Sequence, residues 1–176
     1  MSETARLGAN DMRVNHWAPA GRVSRPDGSQ DTAVIREITP PDTALAFPAL
    51  QALRPAYTDE AAFVQRVDGL QRAEGYRLVG VFAEPGEHAL AVAGFRVGHN
   101  LAWGHYLYVD DLSTLPGARR AGHGARVLDW LADEAARLGC DELHLDSGVG
   151  LHRADAHRLY LNARLAITAF HFARRV

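Results

Sequence analysis

The chain has 176 residues, which is enough for one domain or for one domain with a tail. Apolar residues make up 47% of it, which excludes general disorder, and the formal net charge of -2 provides no overall attraction to nucleic acid or to anionic lipid. The single cysteine excludes a disulfide framework and fits a reducing cytoplasm. No apolar run approaches the ~20 residues that cross a bilayer, and no signal-peptide core opens the chain, so the sequence predicts a cytoplasmic protein without a membrane partner. The composition, rich in Ala and Arg, is typical of a high-GC bacterium.

The predicted elements follow one another with short connections. Residues 1–31 are polar and irregular, which predicts a flexible extension ahead of a domain at 32–176. Apolar periodicity and turn residues then predict the order β-α-α-β-β-β-α-β-α-β. The predicted positions are 33–38, about 42–54 with an interruption at Pro48, 58–73, 76–83, 89–97, 102–114, 122–138, 141–146, 154–161 and 166–173, with a tight turn at 98–100.

The segment from Leu112 to Gly124 runs from a strand through a turn into a helix, and the turn carries Arg-x-x-Gly-x-Gly. The start of a helix presents unpaired N–H groups and the positive end of the helix dipole, and glycines let a ligand approach the backbone closely. Arg119 and Arg120 add positive charge. The segment therefore predicts a pyrophosphate site, although its spacing fits neither the Walker loop nor the dinucleotide fingerprint. The alternative is an ordinary glycine-rich turn that caps a helix.

This segment resembles motif A of the GNAT acetyltransferases, Gln/Arg-x-x-Gly-x-Gly/Ala, and the order of elements resembles the GNAT fold over residues 33–176. The resemblance implies an α/β (α+β) domain whose mixed, mostly antiparallel sheet is covered by helices and opens between the fourth and fifth strands. It also implies acetyl-coenzyme A (acetyl-CoA) as co-substrate, with the Leu112 N–H donating to the developing oxyanion. The implied cofactor contacts are Leu112, Ser113, Thr114, Arg119, Arg120, Ala121, Gly122, His123, Gly124, Ala125 and Arg153. Arg153 stands where the family often has Asn, so it contacts either the phosphates or nothing in the site.

Two carboxylates and one tyrosine are the candidate catalytic groups. Strand alternation places Asp110 and Asp111 on opposite faces, and the resemblance favours Asp110 as the base or amine-binding carboxylate, directly or through a water. A β-bulge would reverse this parity and favour Asp111; both carboxylates could also be solvated charges at a strand end. Tyr160, in a segment that resembles the family's Ala-x-x-Leu/Phe-Tyr, is the implied acid for the departing thiolate. The alternative for Tyr160 is a packing role.

The resulting functional prediction is an N-acetyltransferase that moves an acetyl group directly to a primary amine of a small molecule or a protein. Cys140 is predicted to be a small buried residue, so no acyl-cysteine intermediate is expected. The nine histidines lack metal-ligand spacing, so no metal site is expected. The acceptor site is expected near the first two helices, around 47–67, and the turn at 98–100, with Arg54, Tyr57 and His99 as possible contacts. A non-catalytic sensor of acyl-CoA is the alternative function. The acyl group and the choice between monomer and homodimer stay open, and no nucleic-acid partner is expected.

Overall fold

The structure, a computed structural model, describes residues 33–176, so the predicted extension at 1–31 lies outside the described residues. Five strands form one sheet in the order β1-β2-β3-β4-β5. The first three pairings are antiparallel and the β4–β5 pairing is parallel. The strands are β1 (Val34–Ile38), β2 (Arg77–Phe82), β3 (Ala91–Asn100), β4 (Gly104–Thr114) and β5 (Glu142–Leu145).

Within residues 33–176, four α-helices cover the sheet. They are α1 (Phe47–Leu53), α2 (Glu60–Arg66), α3 (His123–Leu138) and α4 (Ala154–Asn162). Pro48 lies in the first turn of α1, where its missing N–H costs no intrahelical hydrogen bond, so it helps to begin this helix instead of interrupting it. The α2 helix begins at Asp59, whose carboxylate accepts a hydrogen bond from the Ala62 N–H at 3.1 Å, and it continues through one π turn and one 3-10 turn to Glu74.

The sheet separates two apolar cores. Residues such as Phe95 and Leu107 pack with α3 and with Tyr160 of α4 on one side, which we call the α3 side. Residues such as Leu78 pack with α1 and α2 on the other, the α1 side. The predicted class, a mostly antiparallel sheet covered by helices, is confirmed. No helix among residues 33–176 is long and apolar enough to cross a membrane.

Two of the predicted elements are wrong. Residues 98–100 end β3 instead of forming a turn, and the chain reverses at 101–103, where the Asn100 carboxamide oxygen accepts hydrogen bonds from the Ala102 and Trp103 N–H groups at 2.9 and 2.7 Å. The predicted strand at 166–173 is not formed, because this segment leaves α4 without pairing with β5. The alternation of apolar residues in this segment fits a strand, but a strand also needs the edge of a sheet to pair with. Phe170 and Phe172 of this segment stay 85% and 88% exposed.

Candidate functional site

The site begins where β4 and β5 separate. Their pairing runs from Tyr106 with Glu142 to Val109 with Leu145 and then stops, while β4 continues to Thr114. Past this point, β4 has a neighbour only on its β3 side among the described residues. The resulting gap, which we call the β4–β5 opening, lies where the sequence placed it.

The start of α3 lies at the mouth of the β4–β5 opening. A methyl group on Gly124 would lie 3.5 Å from the Thr114 hydroxyl and 3.2 Å from a Leu159 methyl carbon. The absent side chain of Gly124 therefore lets the first turn of α3 approach both the end of β4 and α4.

The turn before α3 contains two residues with a left-handed backbone. Arg119 is extended, whereas Arg120 and Gly122 are left-handed, with φ of 64° and 85°. A left-handed conformation costs an arginine about 1 kcal/mol, so the surrounding structure must hold Arg120 in it. The first N–H groups of α3 have no intrahelical acceptor. Within residues 33–176, the guanidinium groups of Arg119 and Arg120 form no ion pair, so their charge is available to a diphosphate.

The other predicted members of this site surround the turn and the opening. Leu112 packs against the core on the α3 side, and Ser113 is buried in β4. The His123 side chain is also buried, which leaves its backbone at the helix start as the group that a ligand can meet. Ala121 and Ala125 lie at the exposed surface.

A β-bulge in β4 places both carboxylates on the same side of the sheet. Gly94 of β3 pairs with Asp111, but the next residue, Phe95, pairs with Val109, so Asp110 is the extra residue. Val109 and Leu112 both pack on the α3 side, while Asp110 and Asp111 line a cavity on the α1 side. The prediction of opposite faces is therefore wrong, because the extra residue shifts the alternation by one position. The bulge brings Asp111 to the side of Asp110 without turning Asp110 away, so it does not by itself favour Asp111.

Both carboxylate oxygens of Asp111 are held by other side chains. Arg54 donates to one oxygen at 2.9 Å, and the Tyr76 hydroxyl donates to the other at 3.0 Å. Tyr76 fits because Gly94 has no side chain, since a methyl group there would lie 1.8 Å from the Tyr76 hydroxyl oxygen. Burial, and then the charge of Asp111, raise the pKa of Tyr76 well above its ordinary value, so its hydroxyl remains a donor.

Asp110 keeps one oxygen free. The Arg96 guanidinium donates to its Oδ2 at 2.8 Å, and within residues 33–176 its Oδ1 accepts no hydrogen bond. Burial raises the pKa of Asp110 above its ordinary value, and the charge of Asp111 adds to the rise while Arg96 opposes it. A carboxylate with a free oxygen and a raised pKa is a better proton acceptor than an ordinary aspartate.

Tyr160 lies in the core on the α3 side and is 8% exposed. Its hydroxyl accepts a hydrogen bond from the Arg153 guanidinium at 3.3 Å, and the same guanidinium donates to the Ser147 hydroxyl at 3.2 Å. Arg153 therefore contacts the loop after β5 and the candidate acid. The sheet separates Tyr160 from the two carboxylates.

A cavity of about 270 Å³ lies between α1, α2 and β4. Of the three residues predicted as possible acceptor contacts, Arg54 and Tyr57 line this cavity and His99 does not. His99 stacks on His105 with ring centroids 4.2 Å apart, in the part of the β3–β4 hairpin that borders the reversal at 101–103. This residue was misplaced because 98–100 belongs to a strand and not to a turn.

The cavity residues that the sequence analysis did not name include Tyr76, Arg96 and Arg66. Tyr76 and Arg96 reach the carboxylates across 35 and 14 residues of chain, so no local spacing marks them. Arg96 lies one residue before the end of a predicted strand. This position indicates a contact with Asp110 only when the cross-strand pairing is known.

Cys140 lies at the junction of α3 and β5, outside this cavity. Burial raises the pKa of its thiol, which lowers the thiolate fraction that a nucleophile needs.

Comparison with known proteins gives consistent results. Residues 42–164 match the acetyltransferase (GNAT) family. The uncharacterized N-acetyltransferase YhdJ of Bacillus subtilis (strain 168) is 32% identical over 117 residues, which are 66% of this chain and 79% of that protein.

Solved structures share the fold. An acetyltransferase of Trypanosoma brucei superposes with a TM-score of 0.69 at 16% identity, over 82% of this chain and 99% of that chain. The aminoglycoside N-acetyltransferase AAC(6')-Iy, solved in complex with CoA, superposes with a TM-score of 0.69 at 14% identity, over 82% of this chain and 94% of that chain. Identities this low are evidence for the fold and not for the substrate.

Proposed function

The chain belongs to the GNAT acetyltransferase family, and from this premise we propose that it is an N-acetyltransferase that moves an acetyl group directly from acetyl-CoA to a primary amine. The observation that carries the proposal is the β4–β5 opening, which has the start of α3 at its mouth, two carboxylates on one side and a tyrosine on the other. A thioester in this opening would be reached by a base from the α1 side and by an acid from the α3 side.

The turn at 119–124 would hold the diphosphate of CoA. Its support is the left-handed backbone at Arg120 and Gly122, the N–H groups at the start of α3 and the two arginines without an ion pair in the described chain. The CoA complex of AAC(6')-Iy adds support from a protein of the same fold.

The proposed reaction needs two protons to leave the amine nitrogen and one to reach the sulfur. A primary amine with an ordinary pKa of about 10.4 is mostly protonated at neutral pH and cannot attack in that form. Asp110 accepts the first proton, directly or through a water, and passes it to the water of the cavity. The nitrogen then forms a bond to the thioester carbonyl carbon, and the Leu112 N–H donates to the oxyanion that forms there. Asp110 accepts the second proton from the nitrogen as the carbon–sulfur bond breaks, and the Tyr160 hydroxyl supplies the proton that leaves with the thiol.

Direct transfer fits the described residues better than an acyl-cysteine route. The thiol of Cys140 has a raised pKa and lies outside the cavity, so it offers neither the thiolate nor the position that such a route needs.

The proposal is tested by release of free thiol from acetyl-CoA across a panel of amines and peptides, together with calorimetric titration of CoA. Turnover of at least one amine is expected. Silence across a broad panel with CoA still bound would instead favour a sensor of acyl-CoA.

Gly122→Asp tests the placement of the diphosphate. It puts a negative charge and a strained residue at the start of α3, and the expected result is a loss of CoA affinity of at least tenfold. Gly139→Asp is the matched control, because Gly139 is also left-handed, with φ of 72°, and lies at the other end of the same helix, about 26 Å away. Unchanged affinity in Gly122→Asp, or an equal loss in the control, would contradict this placement.

A further inference from the structure

The cavity on the α1 side carries one arginine that its own residues leave unneutralised. Arg66, the last residue of α2, forms no ion pair within residues 33–176, and its guanidinium lies 5.9 Å from the centre of the Tyr57 ring. The side chain is exposed, so it stands at the open edge of the cavity.

The other charges of the cavity lining are already balanced. Arg54 pairs with Asp111 and Arg96 pairs with Asp110, each at 2.8 Å. Glu74 also contacts Arg96 but lies outside the lining and is mostly exposed. The lining therefore holds three guanidinium groups against two carboxylates, and the excess positive charge belongs to Arg66.

This excess positive charge affects the binding of three kinds of amine differently. A polyamine or another polycation would bring a second positive charge toward Arg66. A neutral alkyl amine would leave Arg66 solvated and gain nothing from it. An amine that also carries an anion would satisfy Asp110 and Arg66 at once, with its apolar middle against Leu50, Phe63 and Val67 of the cavity wall.

We propose that the acceptor is a small molecule that carries a primary amine and an anionic group, a carboxylate or a phosphate, and that Arg66 binds this anion. The inference rests on the proposed acetyl transfer, because that reaction places the amine at Asp110. It makes Arg66 a residue that determines specificity and takes no part in the chemistry. Both anions fit a guanidinium in a bidentate manner, so the probes must tell them apart.

The experiment measures kcat/KM for acetyl transfer across matched amines of graded length. The series comprises ω-amino acids, the corresponding ω-aminoalkyl phosphonates, amino alcohols and diamines. The anionic members are expected to exceed the amino alcohols by about tenfold, the gain from one charge-assisted hydrogen bond. The diamines are expected to be the poorest. The anionic series with the larger gain in kcat/KM over the amino alcohols, carboxylates or phosphonates, identifies the anion.

Arg66 variants assign the preference to this side chain. Arg66→Gln should lower kcat/KM for the anionic members about tenfold, through KM, and leave the amino alcohols unchanged, while Arg66→Glu should move the preference to diamines. Arg175→Gln removes an exposed arginine far along the chain from the cavity lining and is expected to change none of these values.

The outcomes separate the two proposals. Absence of turnover for every amine would overturn the proposed function and this inference with it. Turnover of amines without preference for the anionic members, or a preference that survives in Arg66→Gln, would overturn the inference alone.

Discussion

The assignment of Asp110 as base and Asp111 as a structural anchor is tested by replacing each with asparagine. Asp110→Asn removes the one carboxylate oxygen that is free in the described structure, so kcat/KM should fall by about 10²–10⁴, the usual contribution of a general base. Arg96 keeps its contact with Glu74, so the free energy of unfolding should change little. Steady-state kinetics and chemical denaturation measure the two effects.

Asp111→Asn should mainly lower the stability of the fold and should affect activity less. The new amide can accept a hydrogen bond from Arg54 or from Tyr76, but its NH₂ then faces the other donor. The Tyr76 hydroxyl is buried and loses a charged acceptor, which costs about 2 kcal/mol, whereas the exposed Arg54 contributes less than about 1 kcal/mol. A fall of about 2–3 kcal/mol in the free energy of unfolding is therefore expected, with kcat reduced much less than in Asp110→Asn.

The pH profile distinguishes the two roles. The reactive pair is a protonated amine and an ionised Asp110, so kcat/KM has a first bend at the pKa of the amine and is level below it. A second bend, into a fall of one power of ten per pH unit, lies at the pKa of Asp110. In the wild-type protein this second bend should lie above the ordinary range of an aspartate, because burial raises the pKa of Asp110. The bend should vanish in Asp110→Asn. It should move to lower pH in Asp111→Asn, because the charge of Asp111 is one cause of the rise.

Reversed results would refute the assignment. Loss of turnover and of the second bend in Asp111→Asn, with both retained in Asp110→Asn, would make Asp111 the base. Full activity in both variants would remove the carboxylates from the chemistry.

Three further substitutions test the structure around the site. Gly94→Ala should lower the free energy of unfolding by about 2–5 kcal/mol, because the buried Tyr76 cannot leave its place without losing its hydrogen bond and its packing. Arg164→Gly should raise it by about 1 kcal/mol, since Arg164 follows α4 with φ of 63° where a glycine is unstrained. Glu134→Gln should lower it by about 2 kcal/mol at neutral pH, because the buried Glu134 accepts hydrogen bonds from Arg137 and Arg77. The Arg137 hydrogen bond is the largest cause of the lowered pKa of Glu134, so this stabilisation is present above about pH 4.3 and disappears as the pH falls through the lowered pKa. Denaturant unfolding, repeated at acidic pH for Glu134→Gln, measures all three.

Matched controls make each result specific. Gly117→Ala adds the same methyl group where nothing lies within 4 Å, so it should be nearly neutral, and an equal cost in both variants would contradict the clash with Tyr76. Arg164→Ala removes the charge but keeps the strain, so it should give no gain. Asp133→Asn neutralises an exposed carboxylate next to Glu134, and an effect as large as that of Glu134→Gln would refute the pairing argument.

The parts of the fold that the sequence predicted are those fixed by local pattern. The stripe of Leu128, Leu131 and Ala135 marks α3, and all three side chains are buried. The glycines and arginines at 119–124 mark the turn because close backbone approach and positive charge are properties of residue type. Residues 166–173 show the limit of this reasoning. Their alternation is that of a strand, yet no strand forms because the segment does not pair with an edge of the sheet.

The geometry of the site was beyond local pattern because it depends on contacts between strands. Nothing in the sequence near Asp110 distinguishes a regular strand from a bulged one. The bulge appears only when Gly94 of β3 is paired with Asp111, and its environment includes Tyr76, which lies 35 residues before that carboxylate. The sequence therefore identified the two carboxylates and the tyrosine of α4 as candidates, but it could not place them relative to the sheet.

That placement has a consequence for the proposed reaction. With a regular strand, one carboxylate would share the α3 side with Tyr160. The extra residue in β4 turns both carboxylates to the α1 side, so the sheet lies between them and Tyr160. Under the proposed reaction, Asp110 would therefore pass protons from the amine to water through the cavity on the α1 side, and Tyr160 would regain its proton separately. One inserted residue would thus keep the proposed base and the proposed acid on opposite sides of the thioester carbonyl carbon.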